Sequence, residues 1–404
     1  MLMHWNSPES KVQSPTSWVV VAVLTVLLVG SGFSRTVTAQ QYTFEEVAAG
    51  LRHQDAPTRL RAIQILKDAD YADAAEPIAA ALEDVDDRVQ LAAIDAERSL
   101  FTTRPVSRRR KVGFVLEVRS VSGGDVEADG QLALKARAVP ARVLAGLAVA
   151  LRDSNPQVRG EAINLTSLLA PVSCALPMRL KQDQLCSQIG NALIDNINSR
   201  VPLLRRSSMQ ALGRLRYANA VQALSDQLSF YQRGPDGLAA LEGLAGVGHP
   251  TSASIFKQML TSSNAEMRRL AVEGLARAGE RDALPALQQM GQSERSNRVL
   301  LALHYASLTL GSTASVIEQL VAGLGIAAQR PLSLKYLLDL APSMAPALAA
   351  SLRDESPDVR RTVADLLGFS RDAKIISALE AATKDVDPDV AAAAQQAIDR
   401  IKIL

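Results

Sequence analysis

One sequence pattern recurs six times along this chain of 404 residues. The copies begin at Leu51, Leu82, Leu151, Leu260, Leu352 and Thr383. The first two copies and the last two are each 31 residues apart, and the 92 residues from Leu260 to Leu352 fit three such periods. A fixed period of about 20 to 50 residues is the signature of a stacked repeat array. The spacing therefore predicts an all-α protein, an α-solenoid of about nine to ten helical hairpins.

The fifth position of every copy carries a residue typical of a helix N-terminus. These predicted N-caps are Asp55, Asp86, Asn155, Asn264, Ser356 and Asp387. Such short polar side chains accept hydrogen bonds from first-turn amides that have no partner within the helix. In three copies a proline follows, Pro156, Pro357 or Pro388, and proline suits the first helical position. A second apolar stretch precedes each cap, so each unit is predicted to be a helix, a short polar turn and a helix.

A single hairpin cannot bury both of its helices, so the repeats must stack on one another. We therefore expect one continuous solenoid over residues 40–404, interrupted by an insertion at residues 101–139 and by an irregular cysteine-containing loop at residues 171–202. The insertion contains the segment VGFVLEV followed by a Gly-Gly-Asp turn, which predicts β-rich or irregular structure.

The same insertion carries a basic run, Arg108, Arg109, Arg110 and Lys111. Insertions in repeat proteins emerge as loops on one face and often carry binding specificity. These four residues are therefore the candidate partner-binding residues, with acidic protein or anionic lipid as their target. The alternative is that the insertion is an excursion without a partner.

An uncharged apolar run, Trp18 to Val29, lies near the N-terminus. The small-residue pattern Val37-Thr38-Ala39 follows it and suits signal-peptide cleavage near Ala39. Residues 1–39 are thus predicted to be a signal peptide, which would place the solenoid in a bacterial periplasm. The alternative is an uncleaved N-terminal anchor in the inner membrane, which would be the only membrane contact of the chain.

The chain contains two cysteines, Cys174 and Cys186. An even cysteine count in an exported chain favours a disulfide bond between them. The alternative is two unpaired thiols packed as small apolar groups.

The repeated leucine, acidic turn and Val-Arg pair, present as Val158-Arg159 and Val359-Arg360, resemble the HEAT repeat family and its short HEAT-like, phycobilisome-lyase-type repeats. The resemblance implies the solenoid fold and a binding role. It also leaves a lyase-like protein as an alternative, because some members of that type help to attach bilin. The di-iron hydroxylase built on this fold requires repeated His-Glu pairs, which this sequence lacks.

Four arginines recur with the packing pattern: Arg59, Arg159, Arg268 and Arg360. They are predicted to form an inter-repeat ladder with turn carboxylates such as Asp153 and Asp354. The alternative is that they line a concave groove that binds anions.

The sequence contains no standard nucleotide-binding, nucleophile or zinc motif, so no catalytic, cofactor-binding or metal-binding residue is predicted and no cofactor is expected. A net charge of +2 argues against a dedicated nucleic-acid surface. We expect a non-enzymatic scaffold or adaptor that binds a protein or peptide. The main alternative is a membrane-anchored envelope assembly factor.

Overall fold

The computed structural model describes residues 42–103, 130–174, 180–311 and 317–403. The predicted signal peptide, the basic run Arg108 to Lys111 and most of the insertion lie outside these ranges. No helix in the described ranges is long and apolar enough to cross a membrane.

The described residues form a chain of helical hairpins. The α-helices are α1 (Phe44–Gly50), α2 (Ala56–Ala69), α3 (Ala75–Ala79), α4 (Asp87–Phe101), α5 (Ala141–Ala150), α6 (Pro156–Cys174), α7 (Leu180–Asn196), α8 (Pro202–Arg214), α9 (Val221–Tyr231), α10 (Gly234–Val247), α11 (Ala253–Met259), α12 (Ala265–Arg277), α13 (Leu284–Ser293), α14 (Asn297–Leu310), α15 (Ile317–Ala322), α16 (Arg330–Ala349), α17 (Pro357–Leu367), α18 (Ile376–Ala382) and α19 (Pro388–Ile403).

Helix α16 serves two hairpins, because its backbone leaves helical geometry at Met344. Its N-terminal part completes the eighth hairpin, and its C-terminal part, continued by the 3-10 turn Ala350–Arg353, begins the ninth. The described helices therefore make ten hairpins, and the predicted α-solenoid of about nine to ten repeats is confirmed.

The hairpins stack so that their second helices pack side by side in an inner layer. The pairs α8 with α10 and α12 with α14 are among the most extensive of these contacts. Backbones touch where α8 meets α10, since a Cβ added to Gly246 would lie 2.7 Å from the backbone of Gly213. Glycines thus allow the backbones of α8 and α10 to approach closely.

The predicted helix starts are observed, and five of the six predicted caps form side-chain bonds. In these five caps a side-chain oxygen accepts a hydrogen bond from a backbone amide in the first turn of the helix. The five residues are Asp55, Asp86, Asn155, Asn264 and Asp387. Ser356 is the N-cap residue of α17 as predicted, but its hydroxyl makes no capping bond. There the Val359 amide donates to the Ser356 backbone carbonyl at 3.1 Å, and Asp354 accepts the Ser356 amide at 2.9 Å.

The predicted arginine ladder is confirmed for Arg59, Arg268 and Arg360, three of its four arginines, but with other turn carboxylates than the two named as examples. Arg59 contacts Asp84 at 2.7 Å, Arg268 contacts Glu294 at 2.9 Å and Arg360 contacts Asp385 at 2.8 Å. Each of these acids lies in the turn of the following repeat, so the guanidinium joins neighbouring hairpins.

The prediction that the carboxylates of Asp153 and Asp354 accept from the ladder arginines is wrong. Arg159 and Arg360 donate instead to the backbone carbonyls of these residues, at 2.6 and 2.9 Å. The reason is that each arginine lies in the first turn of its helix, close to the carbonyls of its own hairpin turn.

The described flanks of the insertion join the end of α4 to the last hairpin. The Lys135 amide donates to the Phe101 carbonyl at 2.8 Å, and an isolated antiparallel bridge links Thr102 to Leu134. Arg400 of α19 donates to the Leu134 carbonyl, so the curled array contacts itself. The predicted β-rich structure has no support among the described residues beyond this one bridge.

Glu97 places a buried carboxyl on helix α4. It is the eleventh residue of α4, a position that Leu66 holds in α2 and Leu275 holds in α12. Its side chain is 0% exposed and neither oxygen has a partner within the described part of the chain. Burial raises the pKa of Glu97 well above its usual value. An ionisable group therefore occupies a leucine position in the core.

We expect the difference in the free energy of unfolding between wild type and Glu97→Gln to depend on pH, because the buried carboxyl destabilises the fold once it can ionise. Because the pKa of Glu97 is raised by folding, the folded chain keeps a proton that the unfolded chain releases above about pH 4.3, and stability falls as pH rises. Wild type and variant should be equally stable near pH 4. Near pH 7 the variant should be more stable, by about 1.4 kcal/mol for each unit of pKa shift. Urea unfolding at both pH values measures the difference, and equal stability at pH 7 would contradict the expectation.

Candidate functional site: the central cavity

A cavity of about 460 Å³ lies at the centre of the curled array. Its walls come from the C-terminal ends of α6, α8, α10 and α12, from α16, and from the segment after α17. None of the described outer helices α9, α11, α13 or α18 contributes a lining residue. The volume is within the range of about 300 to 1,000 Å³ typical of ligand sites. The inner layer therefore encloses a space large enough for a short segment of a ligand.

The lining of the cavity carries more basic than acidic side chains. Its basic residues are Arg214, Arg216, Arg277, Lys335 and Arg371. Its acidic residues are Glu242 and Asp339. Apolar surface is supplied by Val172, Leu215, Leu338 and Phe369. The described lining therefore combines an excess of three positive charges with apolar walls.

A buried ionic cluster centred on Glu273 supports this wall. The Glu273 carboxylate is 0% exposed and contacts Arg269, Arg277 at 3.0 Å and Lys335 at 3.3 Å. The Tyr336 hydroxyl donates to it at 2.6 Å. Burial alone would raise the pKa of Glu273, but Arg269, Lys335 and Arg277 outweigh burial and hold this pKa well below its usual range. The carboxylate therefore stays charged inside the protein.

Asp339 connects this cluster to the open cavity. Its carboxylate accepts hydrogen bonds from Arg216 at 2.8 Å, Arg277 at 2.8 Å and the Tyr305 hydroxyl at 3.1 Å. Burial would raise the pKa of Asp339, and the two guanidiniums lower it below the usual value. Arg216 belongs to the fourth hairpin and Asp339 to the eighth, so this contact crosses the interior of the array.

Two tyrosines stack beneath these charges. The rings of Tyr305 and Tyr336 lie 4.6 Å apart and nearly parallel, and the Arg277 guanidinium lies 5.3 Å from the Tyr305 ring centroid. Aromatic stacking and cation–π contact both fix side-chain orientation. The Arg277 guanidinium is thus held in a fixed orientation in the wall.

A disulfide joins Cys174 to Cys186, with their Cα atoms 6.0 Å apart. Cys174 ends α6 and lines the cavity, whereas Cys186 lies within α7. The bond therefore connects the third and fourth hairpins beside the cavity. The predicted caps, by contrast, lie at the opposite ends of the inner helices, at their N-termini.

The central cluster was not predicted from the sequence, although a signal for it exists. Arg269, Glu273 and Arg277 follow one another at intervals of four along α12, which places their side chains on one face of the helix. Charged residues on a buried face are rare unless they are paired. Among the described residues no three His, Cys, Asp or Glu side chains are grouped as metal ligands would be.

Several solved structures are similar to this chain in their helical architecture. An engineered protein is 16% identical, with a TM-score of 0.40, over 89% of this chain and 98% of its own. The complex of CpcE and CpcF of phycocyanin lyase from Nostoc sp. gives 19% identity and a TM-score of 0.41, over 65% of this chain and 94% of its own. A Kap121p mutant gives 13% identity and a TM-score of 0.35, over 87% of this chain and 40% of its own.

The sequence itself matches a protein family in two places. HEAT repeats are recognised at residues 238–306 and 321–401. No curated protein matches the sequence. The two matched regions cover the hairpins from α10 to α14 and from α16 to α19, and the hairpins before them have the same helix-turn-helix form. Residues 238–306 and 321–401 therefore form HEAT repeats.

Proposed function

We propose that this protein is a non-enzymatic scaffold that binds a protein or peptide partner on the inner surface of its solenoid, outside the cytoplasmic membrane. The observation that carries the proposal is the central cavity, which is built from inner helices of several hairpins and is lined by ordered charged and apolar side chains. Curved arrays of helical repeats present such concave surfaces for extended ligands.

The compartment is proposed from the sequence together with the disulfide. The apolar run Trp18 to Val29 and the small residues ending at Ala39 are typical of an export signal. A disulfide between the two cysteines suits an oxidising compartment. Both features support a periplasmic protein with a cleaved signal peptide.

Site-specific photo-crosslinking in living cells tests the proposal. A photoreactive residue is placed at Gln210, which lines the cavity, or at Gln288, which is exposed on the outer helix α13. We expect a discrete protein crosslink from position 210 and none of the same mass from position 288. Mass spectrometry of the crosslinked product then identifies the partner.

Three outcomes would contradict the proposal. The absence of any protein crosslink from position 210, with normal folding and export, would remove the inner surface as a partner site. The same product from both positions would mean that contact is not specific to the cavity. Recovery of the protein with the cytoplasmic rather than the periplasmic fraction would contradict the proposed compartment.

A further inference from the structure

The turns of the fourth and fifth hairpins lack the short polar cap that the six copies of the repeat pattern carry. The N-cap of α8 is Val201 and that of α10 is Arg233, and neither side chain makes a capping hydrogen bond. Aspartate, asparagine and serine are preferred at this position because their side-chain oxygens accept first-turn amides, and valine is among the least favourable residues there. Helix capping therefore does not explain the residues at these two turns.

Large apolar side chains are exposed at the same two turns. Leu203, in the first turn of α8, is 65% exposed, and Phe230, near the end of α9, is 79% exposed. Val201 is 37% exposed. Single exposed apolar residues are normal on a protein surface, but a group of them marks an interaction site. The distances between the two turns therefore matter.

Contacts between the two hairpins bring these side chains to one surface. The Arg205 guanidinium of α8 lies 5.0 Å from the centroid of the Tyr231 ring at the end of α9. The ring of Phe230 meets that of Tyr231 edge to face, with 4.9 Å between their centroids. Gln227, three residues before Phe230, donates to Asn198 in the turn before α8 at 3.1 Å. The exposed Phe230 ring therefore lies beside the turn of the fourth hairpin.

The unpaired charges of the two turns are basic. Arg200 and Arg233 are exposed, and neither guanidinium has a partner among the described residues. The carboxylate of Asp236 is already paired, with Arg205 at 2.8 Å and with Arg206 at 3.4 Å. We call this surface the turn patch, and it consists of Arg200, Val201, Leu203, Phe230 and Arg233.

The composition of the turn patch matches the surface of an anionic bilayer. Phenylalanine and leucine side chains enter the boundary between headgroups and acyl chains, and basic side chains beside them are attracted to anionic lipids. Arginine can keep its guanidinium at the headgroups while its apolar stem lies deeper. The apolar groups of the patch are exposed at hairpin turns, and a fluid lipid surface can adapt to such side chains without a preformed pocket.

We propose that the turn patch docks the solenoid on a membrane surface that contains anionic phospholipid. Phe230 and Leu203 enter the lipid, and Arg200 and Arg233 contact the phosphates. The patch lies at the N-terminal ends of inner helices, whereas the central cavity is lined at their C-terminal ends. The inference therefore goes beyond the proposed function, because it adds a lipid contact separate from both the partner site and the N-terminal segment.

Tryptophan fluorescence at the patch tests the inference, with the protein purified as cells produce it from the full-length gene. The natural tryptophans are Trp5 and Trp18, both in the predicted signal peptide, and the wild-type spectrum corrects for any contribution from them. We expect the emission of Phe230→Trp to shift to shorter wavelength with vesicles of phosphatidylcholine and phosphatidylglycerol. Vesicles of phosphatidylcholine alone should cause no shift.

Val85→Trp is the matched control for the position of the tryptophan. Val85 is 97% exposed in the turn of the second hairpin but lies among aspartates, so its variant should show no shift. In the Phe230→Trp background, Arg200→Gln together with Arg233→Gln should weaken binding to the anionic vesicles about 30-fold, because two basic contacts are lost. The substituted side chains are exposed, so the thermal midpoints should not change.

Several results would overturn the inference. One is the absence of a shift for Phe230→Trp with anionic vesicles, and another is a shift that neutral vesicles also produce or that survives the loss of both arginines. A shift that appears without lipid and grows with protein concentration would assign the turn patch to contact with a second copy of the chain. Crosslinking from position 210 reports on the cavity alone, so the scaffold proposal is tested independently.

Discussion

Replacing Glu273 with glutamine is expected to lower the free energy of unfolding by about 3 to 5 kcal/mol. The substitution keeps the shape of the side chain but removes the negative charge that Arg269, Arg277 and Lys335 share. Loss of one partner from a buried ionic cluster is costly because it leaves uncompensated charge in a medium of low dielectric. Urea unfolding monitored by circular dichroism near pH 7 measures the change.

The exposed pair Lys257–Glu280 supplies the matched control. Its atoms are 3.0 Å apart, and the lysine side chain is 50% exposed. Surface ion pairs contribute about 0 to 1 kcal/mol, so Glu280→Gln should have little effect. Equal destabilisation by the two substitutions would show that the Glu273 cluster contributes no more than a surface pair.

The effect of Glu273→Gln should also depend on pH. Because folding depresses the pKa of Glu273, its contribution to stability is present above the unfolded carboxyl pKa of about 4.3 and is lost as pH falls below it. The difference between wild type and variant should therefore narrow in acid. This direction is opposite to that expected for Glu97, whose pKa is raised.

Removal of the disulfide is expected to destabilise the protein by about 3 kcal/mol. Cys174 and Cys186 are separated by 12 residues, and a crosslink over a loop of this size lowers the conformational entropy of the unfolded chain by about that amount. The double variant Cys174→Ser, Cys186→Ser avoids leaving a reactive thiol. Urea unfolding of oxidised wild type and of this variant measures the difference.

Addition of a reducing agent controls for the serine substitutions themselves. Reduced wild type should match the double variant, and the variant should not respond to reductant. If oxidised and reduced wild type unfold at the same urea concentration, the bond does not stabilise the fold.

The sequence could predict the hairpins because each repeat carries its own signals. Caps such as Asp55 and Asp86 and the spacing of apolar residues depend on neighbours within one turn or one hairpin. The arginine ladder was also predictable in outline, since Arg59 and Arg360 recur with the repeat. Its partners were not, because the choice between a carboxylate of the same turn and one of the next turn depends on how far neighbouring hairpins rotate.

The central site could not be predicted for a related reason. Tyr336 contacts Glu273 two hairpins away, and Asp339 contacts Arg216 four hairpins away. The curvature that brings them together is the sum of many small rotations between repeats. This sum cannot be predicted from the sequence of any single repeat. The candidate residues Arg108 to Lys111 lie outside the described residues, so their partner-binding role stays a prediction.

The contact of Arg400 with the Leu134 carbonyl has a consequence for how this array can evolve. Open solenoids can gain or lose a repeat by duplication or deletion, because each hairpin meets only its neighbours. Here one added or missing hairpin between Leu134 and Arg400 would displace both that contact and the meeting of Arg216 with Asp339. The number of hairpins is thus coupled to the integrity of the interior.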